Sequence, residues 1–425
     1  MAALQNTGRD DAKRGSANKA QFHAVAAGFL GWTLDAFDFF VVVFLFDSLA
    51  AQFHVTKAAI VATLSWTLLM RPVGALIFGL LTDRYGRRIP LIANVIFFSV
   101  VELLCGFAPN YGVFLLLRIL YGIGMGGEWG VGTSLVMEAT SSRWRGMLSG
   151  ILQNGYAIGY ILAALAYRFA FPAWGWRPMF WLGGIPAFLA LYISAKVPES
   201  EAWRRHRKSS TGAVLKAVGE QWKLCAYLLL LMTFMMFLSH GTQDLYPDFL
   251  QSQHHVGVAV VSYIVILGNI GALLGGIIFG EFSNSKGRRL SLIAALLLSL
   301  AVIPLWAFGS SLRALALGAF LMQVGVQGAW GIIPAHLSEL SADSTRGLVP
   351  GLAYQMGIVL AARTPVVEYG LRDRVGYDWA LAGFEIFTIV ILGIIVAFGP
   401  ERRGRSFIEP APVEPAPMES TPVGA

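Results

Sequence analysis

The sequence predicts an all-helical membrane protein of twelve spans arranged as two similar halves, and three observations carry that prediction. Only 13% of its 425 residues are charged while 56% are hydrophobic, with mean hydropathy +0.62; a water-facing chain carries about 25% charge. Apolar stretches of about 20 residues recur along it, the length that crosses a hydrocarbon core of about 30 Å as a helix. A patterned segment near residue 80 also returns about 200 residues later.

Taken in order, residues 1–23 are polar and are expected to form an N-terminal segment, with the first apolar run retained as a helix. Spans are expected near 24–47, 58–81, 89–108, 111–137, 146–168 and 177–195, giving a first six-helix bundle over 24–195. A basic linker fills 196–223, with an amphipathic piece expected in it, and a second bundle occupies 224–398. Its spans lie near 224–247, 257–280, 290–309, 312–335, 347–368 and 379–398. Residues 399–425 end in a Pro-rich stretch that lacks core-forming side chains and is expected to be a disordered tail.

An even number of spans puts both termini on one side. Short loops rich in Lys and Arg face the cytoplasm, and the runs at Arg84, Arg87 and Arg88, at Lys286, Arg288 and Arg289, and through the linker share the side of the termini. The opposite loops hold only Lys57, Arg168, Arg177, Arg313, Arg372 and Arg374. Both termini are therefore expected to be cytoplasmic. The net charge of +7 is scattered in these short runs, which excludes a nucleic-acid-binding face. Cys105 and Cys225 lie in separate apolar segments, so no disulfide or zinc site is expected. No nucleophile and base stand at readable spacing and no metal-ligand cluster appears, so neither an enzyme nor a cofactor is expected.

The repeat is detailed. Gly79-x-x-x-Asp83-Arg84-x-Gly86-Arg87-Arg88 corresponds to Gly280-x-x-x-Asn284-Ser285-x-Gly287-Arg288-Arg289. In the same register Gly127-Glu128-Trp129-Gly130 maps onto Gly328-Ala329-Trp330-Gly331, and Glu138 with Arg145 onto Glu339 with Arg346; Pro198-Glu199 and Pro400-Glu401 close the two halves. This loop pattern resembles the signature of the major facilitator superfamily. The resemblance implies two rocking bundles around a midplane site, in a bacterial inner (plasma) membrane, and a protein that works as a monomer. Asp83, Arg84, Arg87 and Arg88, with the pairs Glu138/Arg145 and Glu339/Arg346, are expected to form a cytoplasmic gate, Asp83 receiving a cation or a helix N-terminus from the other bundle. Asn284 and Ser285 should make the second copy a weaker latch.

Charges inside the membrane narrow the site, because each costs at least about 2.5–3.5 kcal/mol near the bilayer centre. Arg71 lies twelve residues above Asp83, roughly 18 Å along the helix. Two roles are open to it: an ion pair with Glu102 or Glu128, or a planar fork for an anionic substrate. Asp35 and Asp38 share a face of the first span, and carboxylates buried there favour the neutral form, as a proton carrier requires. Gly31-Trp-Thr-Leu-Asp35-Ala-Phe-Asp38 resembles the first-helix signature of proton-coupled sialate and aromatic-acid symporters. Arg118 resembles the superfamily's fourth-helix arginine, which implies that it faces Asp38 and is released when Asp38 protonates; Glu128 completes the proton-coupling set. The glycines from Gly122 to Gly127 suit close helix packing.

In the seventh span His240, Gln243 and Asp244 share one face, followed by Tyr246 and Pro247. The stretch resembles the seventh-helix signature of monocarboxylate (lactate and pyruvate) permeases, with Met236 and Asp248 departing from it. Gln153, Asn154 and Tyr156 of the fifth span and Tyr354 and Gln355 of the eleventh are further candidates to line the cavity; Arg363 is placed either to pair with Glu368 or Glu385 or to meet the substrate. The expected function is proton symport of a small monocarboxylate, the partners being a small organic anion, a proton and the lipid bilayer. Sialic or aromatic acids or a sugar are the alternative cargo, and a non-transporting nutrient receptor the alternative class.

Overall fold

The computed structural model describes residues 2–205 and 210–407. Helices stand where every expected span was placed. Ala2–Phe44, Lys57–Tyr85, Arg88–Cys105, Tyr111–Ala139 and Arg145–Phe169 run without a break, and the sixth span is Arg177–Leu182 followed by Pro186–Lys196. The second half comprises Trp222–Gln243 with Tyr246–Ser252, Val258–Lys286, Arg288–Ala307, Leu312–Leu340, the split pair Val349–Ala361 and Thr364–Val375, and Tyr377–Phe398. Side-chain oxygens of Thr56, Asn110 and Ser311 start the second, fourth and tenth spans by accepting from the backbone N–H three residues on, satisfying donors that a helix end leaves open.

Each half has its own apolar core, one around Phe98, Phe114 and Phe180, the other around Leu231, Phe249 and Trp306. The duplicated loop folds the same way twice. Gly86 (φ 102°) and Gly287 (φ 101°) take a left-handed turn that an L side chain would strain. Glu199 then accepts from the backbone N–H of Arg87 at 2.8 Å, and Glu401 from that of Arg289 at 2.8 Å. The Pro-Glu that closes each half thus caps the third or ninth span of its own bundle.

Between the bundles Glu201–Arg205 and Thr211–Glu220 are helical, the second burying Val214. Arg207 and Lys208 of the linker and the Pro-rich stretch from 408 lie outside the described residues. The expectation of a disordered tail from 399 needs correction: residues 399–407 return across the linker face, and Phe407 is 2% exposed.

Candidate functional site

The two bundles touch from mid-membrane to the linker face. Gly146 packs on Gly280 and Gly150 on Gly276, Asn154 donates to Leu273 O across the same seam at 3.0 Å, and Gln355 to Gly126 O at 3.3 Å. Towards the opposite face, His240 and Asp244 retain 36% side-chain exposure and Gln243 is exposed although all three follow a buried helix. This is the conformation closed on the linker face.

Five rings form a floor at the seam: Trp129 stacks on Tyr354 of the other bundle (centroids 4.2 Å), Trp32 on Tyr156 (5.3 Å), and Trp32 and Trp330 meet Tyr354 edge-on. Gln153 accepts from Trp129 Nε1 at 3.1 Å. Tyr156 and Tyr354 are candidates from the sequence; Trp32, Trp129 and Trp330 are not, although Trp129 and Trp330 occupy the same place in the repeat and so carry a signal. Arg71 lies within electrostatic reach of Tyr156 and Tyr354, and of Asp35 and Glu128. It is 2% exposed, and its Nε and Nη2 have no hydrogen-bond partner. The indole nitrogens of Trp32 and Trp330 and Oε1 of Gln355 are buried and unbonded too. Unused buried donors are costly, so Arg71, Trp32 and Trp330 suit an acceptor, whereas Gln355 Oε1 suits a donor. Gly122 and Gly126 fix the cluster's position, because a Cβ on either would strike the backbone of Thr67 (2.3 Å) or Arg71 (1.9 Å).

Arg118 does not bond Asp38. Its Nη1 donates to Glu102 at 2.7 Å, both groups fully buried, and its guanidinium lies over Tyr121 at 4.2 Å. Glu102 is therefore the partner of Arg118 and not of Arg71, a pairing between the third and fourth spans that no spacing along one helix displays. Gly183, at the break in the sixth span, lies against both Glu102 and Asp38; a Cβ there would come within 2.8 Å of Asp38 Oδ1. Asp38 and Glu128 have no hydrogen bond on either carboxylate oxygen, while Asp35 receives Tyr121 Oη on its carbonyl (2.8 Å) and on Oδ1 (3.3 Å). Four buried acids thus surround two arginines.

In the seventh span His240 Nδ1 and Asp244 Oδ2 are 2.9 Å apart, and Gln243 Nε2 donates to Gln323 at 3.1 Å. Tyr246 does not belong with them: it is 5% exposed, stacks on Trp306 and donates to the carbonyls of Trp306 (3.1 Å) and Leu315 (3.3 Å) inside the second core. Among the described residues no ion pair joins Arg363 to Glu368 or Glu385; Arg363 is exposed and both acids are buried without hydrogen bonds.

At the linker face the residues expected to form a gate make contacts that cross between the bundles. Asp83 accepts the backbone N–H of Gly347 (2.8 Å) and Leu348 (3.1 Å), capping the eleventh span of the other bundle, while its copy Asn284 accepts one backbone N–H from the first bundle, that of Gly146 at 2.8 Å, beside Arg288 Nη1 of its own at 3.2 Å. Glu138 is gripped by Arg87 of its own bundle (3.0 and 2.8 Å) and by Arg346 of the other (3.1 Å); Glu339 by Arg288 (2.9 and 3.0 Å) and by Arg145 of the first bundle (3.0 Å). The expected pairs Glu138/Arg145 and Glu339/Arg346 therefore exchange partners, since the pseudo-symmetry sets each arginine opposite the other bundle's acid. Arg84 takes no part, being exposed over Tyr85, and Arg88 bonds the Ser194 carbonyl of its own bundle.

Two helical bundles that close on one face around buried charge define a membrane transporter, not an enzyme. The chain belongs to the major facilitator superfamily: residues 23–223 match the family described as "Sugar (and other) transporter" and residues 229–422 the "Major Facilitator Superfamily" itself. It is 32% identical to a carboxylic acid transporter protein homolog of Saccharomyces cerevisiae over 82% of its own length, spanning 61% of the yeast protein. A probable 4-methylmuconolactone transporter of Cupriavidus pinatubonensis is 31% identical over 89% of this chain and 90% of that one, and the sialic acid transporter NanX of Escherichia coli 25% identical over 90% and 95%. The proton:xylose symporter XylE shares the fold, with TM-score 0.73 at 18% identity over 92% of this chain and 98% of that structure.

Proposed function

We propose that the chain carries a small monocarboxylate, lactate- or pyruvate-like, together with a proton by alternating access, with its linker face cytoplasmic in a bacterial inner membrane. The observation that carries this reading is Arg71: a guanidinium buried at the seam with Nε and Nη2 unbonded, within electrostatic reach of the tyrosines on which Trp32 and Trp330 pack, offers a carboxylate a charge-assisted fork. His240, Gln243 and Asp244 line the approach from the opposite face, and Gln153, Asn154 and Gln355 complete the seam around the bound anion.

The proton step follows from the acids. A proton on Asp38 leaves Glu102 as the anionic partner of Arg118 and removes repulsion between two carboxyls that share Gly183. Asp35 lies within electrostatic reach of both Arg118 and Arg71, and Glu128 of Asp35 and Arg71, so the charge of Asp35 answers both to the proton and to the cargo. Anion and proton together add no net charge to the cluster, whereas the anion alone would add one and raise the cost of moving it past hydrocarbon; the bundles therefore rock with both bound.

A second cargo, a larger or aromatic acid, is favoured by the ring floor, since flat acids stack on Trp and Tyr faces. Uptake of labelled lactate into proteoliposomes under an inward pH gradient, with a tenfold excess of unlabelled pyruvate, benzoate, sialate or xylose, separates the two. Inhibition by pyruvate above that by benzoate or sialate is expected; inhibition by xylose alone sinks the carboxylate reading.

A further inference from the structure

The segment after the twelfth span is a strap over the closed face. Arg403 Nη1 donates to Ser285 O (2.7 Å), Gly404 N–H to Glu339 Oε1 (3.2 Å), and Arg405 to Ser341 O (2.8 Å) and to both carboxylate oxygens of Asp343 (3.1 Å). These anchors all belong to the second bundle. The next contact does not: the Arg405 carbonyl accepts from Arg145 Nη1 of the first bundle at 2.9 Å.

Phe407 follows, and its ring lies between the two crossed latches. The guanidinium carbons of Arg145 and Arg346 are 4.0 Å and 3.9 Å from its centroid. Its other neighbours form a small apolar cluster from three parts of the chain: Val136, Met137 and Leu152 of the first bundle, Ala202 of the linker and Ala335 of the second bundle. One ring therefore touches both arginines that cross the seam, and a π face attracts each cation. Neither arginine withdraws from the opposing glutamate without leaving the ring, and the ring stays covered only while the two bundles meet there.

We propose that Phe407 is a positioning residue for the transport cycle, a pin that holds Arg145 and Arg346 in their cross-bundle pairs, so that it must leave the first-bundle pocket before the linker face opens. The strap then travels with the second bundle, to which its arginines are bonded. The device concerns gating alone and stands whichever solute is carried.

The test is a spin-label distance across the gate. In the full chain with Cys105 and Cys225 replaced by alanine, Arg143→Cys and Lys286→Cys, both exposed on the linker face, are labelled and the protein is placed in lipid nanodiscs. One short distance is expected for the parent, and in Phe407→Ala at least a third of the population at longer distance. Phe407→Tyr keeps the parent distribution, and Phe407→Leu, which fills the pocket without a π face, falls between. A Phe407→Ala distribution identical to the parent overturns the proposal. Should that variant fail to fold, Tyr against Leu decides it: equal distributions overturn the clasping of the arginines by the ring.

Discussion

Arg118 and Glu102 show how far single residues govern this protein. Both are buried, and at 2.7 Å each is the other's charge compensation. Removing one partner of such a pair strands the other at a cost of about 3–5 kcal/mol, whereas replacing both with apolar groups is often near neutral. Glu102→Gln should therefore lower the melting temperature in detergent substantially, and Glu102→Gln with Arg118→Met should recover much of the loss; equal loss in single and double variants would show that the pair is not the source. The sequence made these charges visible because each is conspicuous in an apolar run. Their pairing was hidden, since Glu102 and Arg118 stand on different spans and helical spacing relates only residues of one helix. Tyr246 was misread for a kindred reason: next to a polar face in sequence, it turns into the core, where two carbonyls accept its hydroxyl.

At the scale of elements, the helices follow from hydropathy, and what positions them is the absence of side chains at chosen points. Gly126 brings the fourth span onto the backbone of Arg71, where a Cβ would lie 1.9 Å from the carbonyl oxygen; at Gly383 of the twelfth span nothing lies within 4 Å. Gly126→Val should destabilise at the upper end of the about 1–3 kcal/mol typical of overpacking and displace Arg71, while Gly383→Val should be tolerated. Thermal unfolding followed by size-exclusion chromatography checks this, and similar losses at both positions would contradict it. Hydropathy located the spans well because lipid imposes one requirement on all of them. The breaks at Gly183 and Arg363 were not read, although Gly183, Gly184 and Pro186 at one and Pro365 at the other are helix breakers; what the sequence did not display is their use, Gly183 making room for Asp38 and Glu102.

Across the whole molecule, the duplication seen in sequence becomes a reciprocal gate. Asp83 caps the eleventh span while Asn284 caps the fifth, and Glu138 and Glu339 each hold an arginine from the opposite half. The register of the repeat predicted which residues correspond; it was silent on whether they pair within a half or between halves, which depends on how the bundles are apposed. The central claim is that one movement of these halves carries an anion at Arg71 and a proton at Asp38 together. The most direct measurement is luminal pH, read with a trapped dye in proteoliposomes when lactate is added outside, against protein-free vesicles. The account predicts protein-dependent acidification that is lost in Arg71→Ala, and in Asp38→Asn is lost while lactate counterflow persists. Lactate counterflow without acidification by the unmodified protein, or acidification unchanged in both variants, would contradict it.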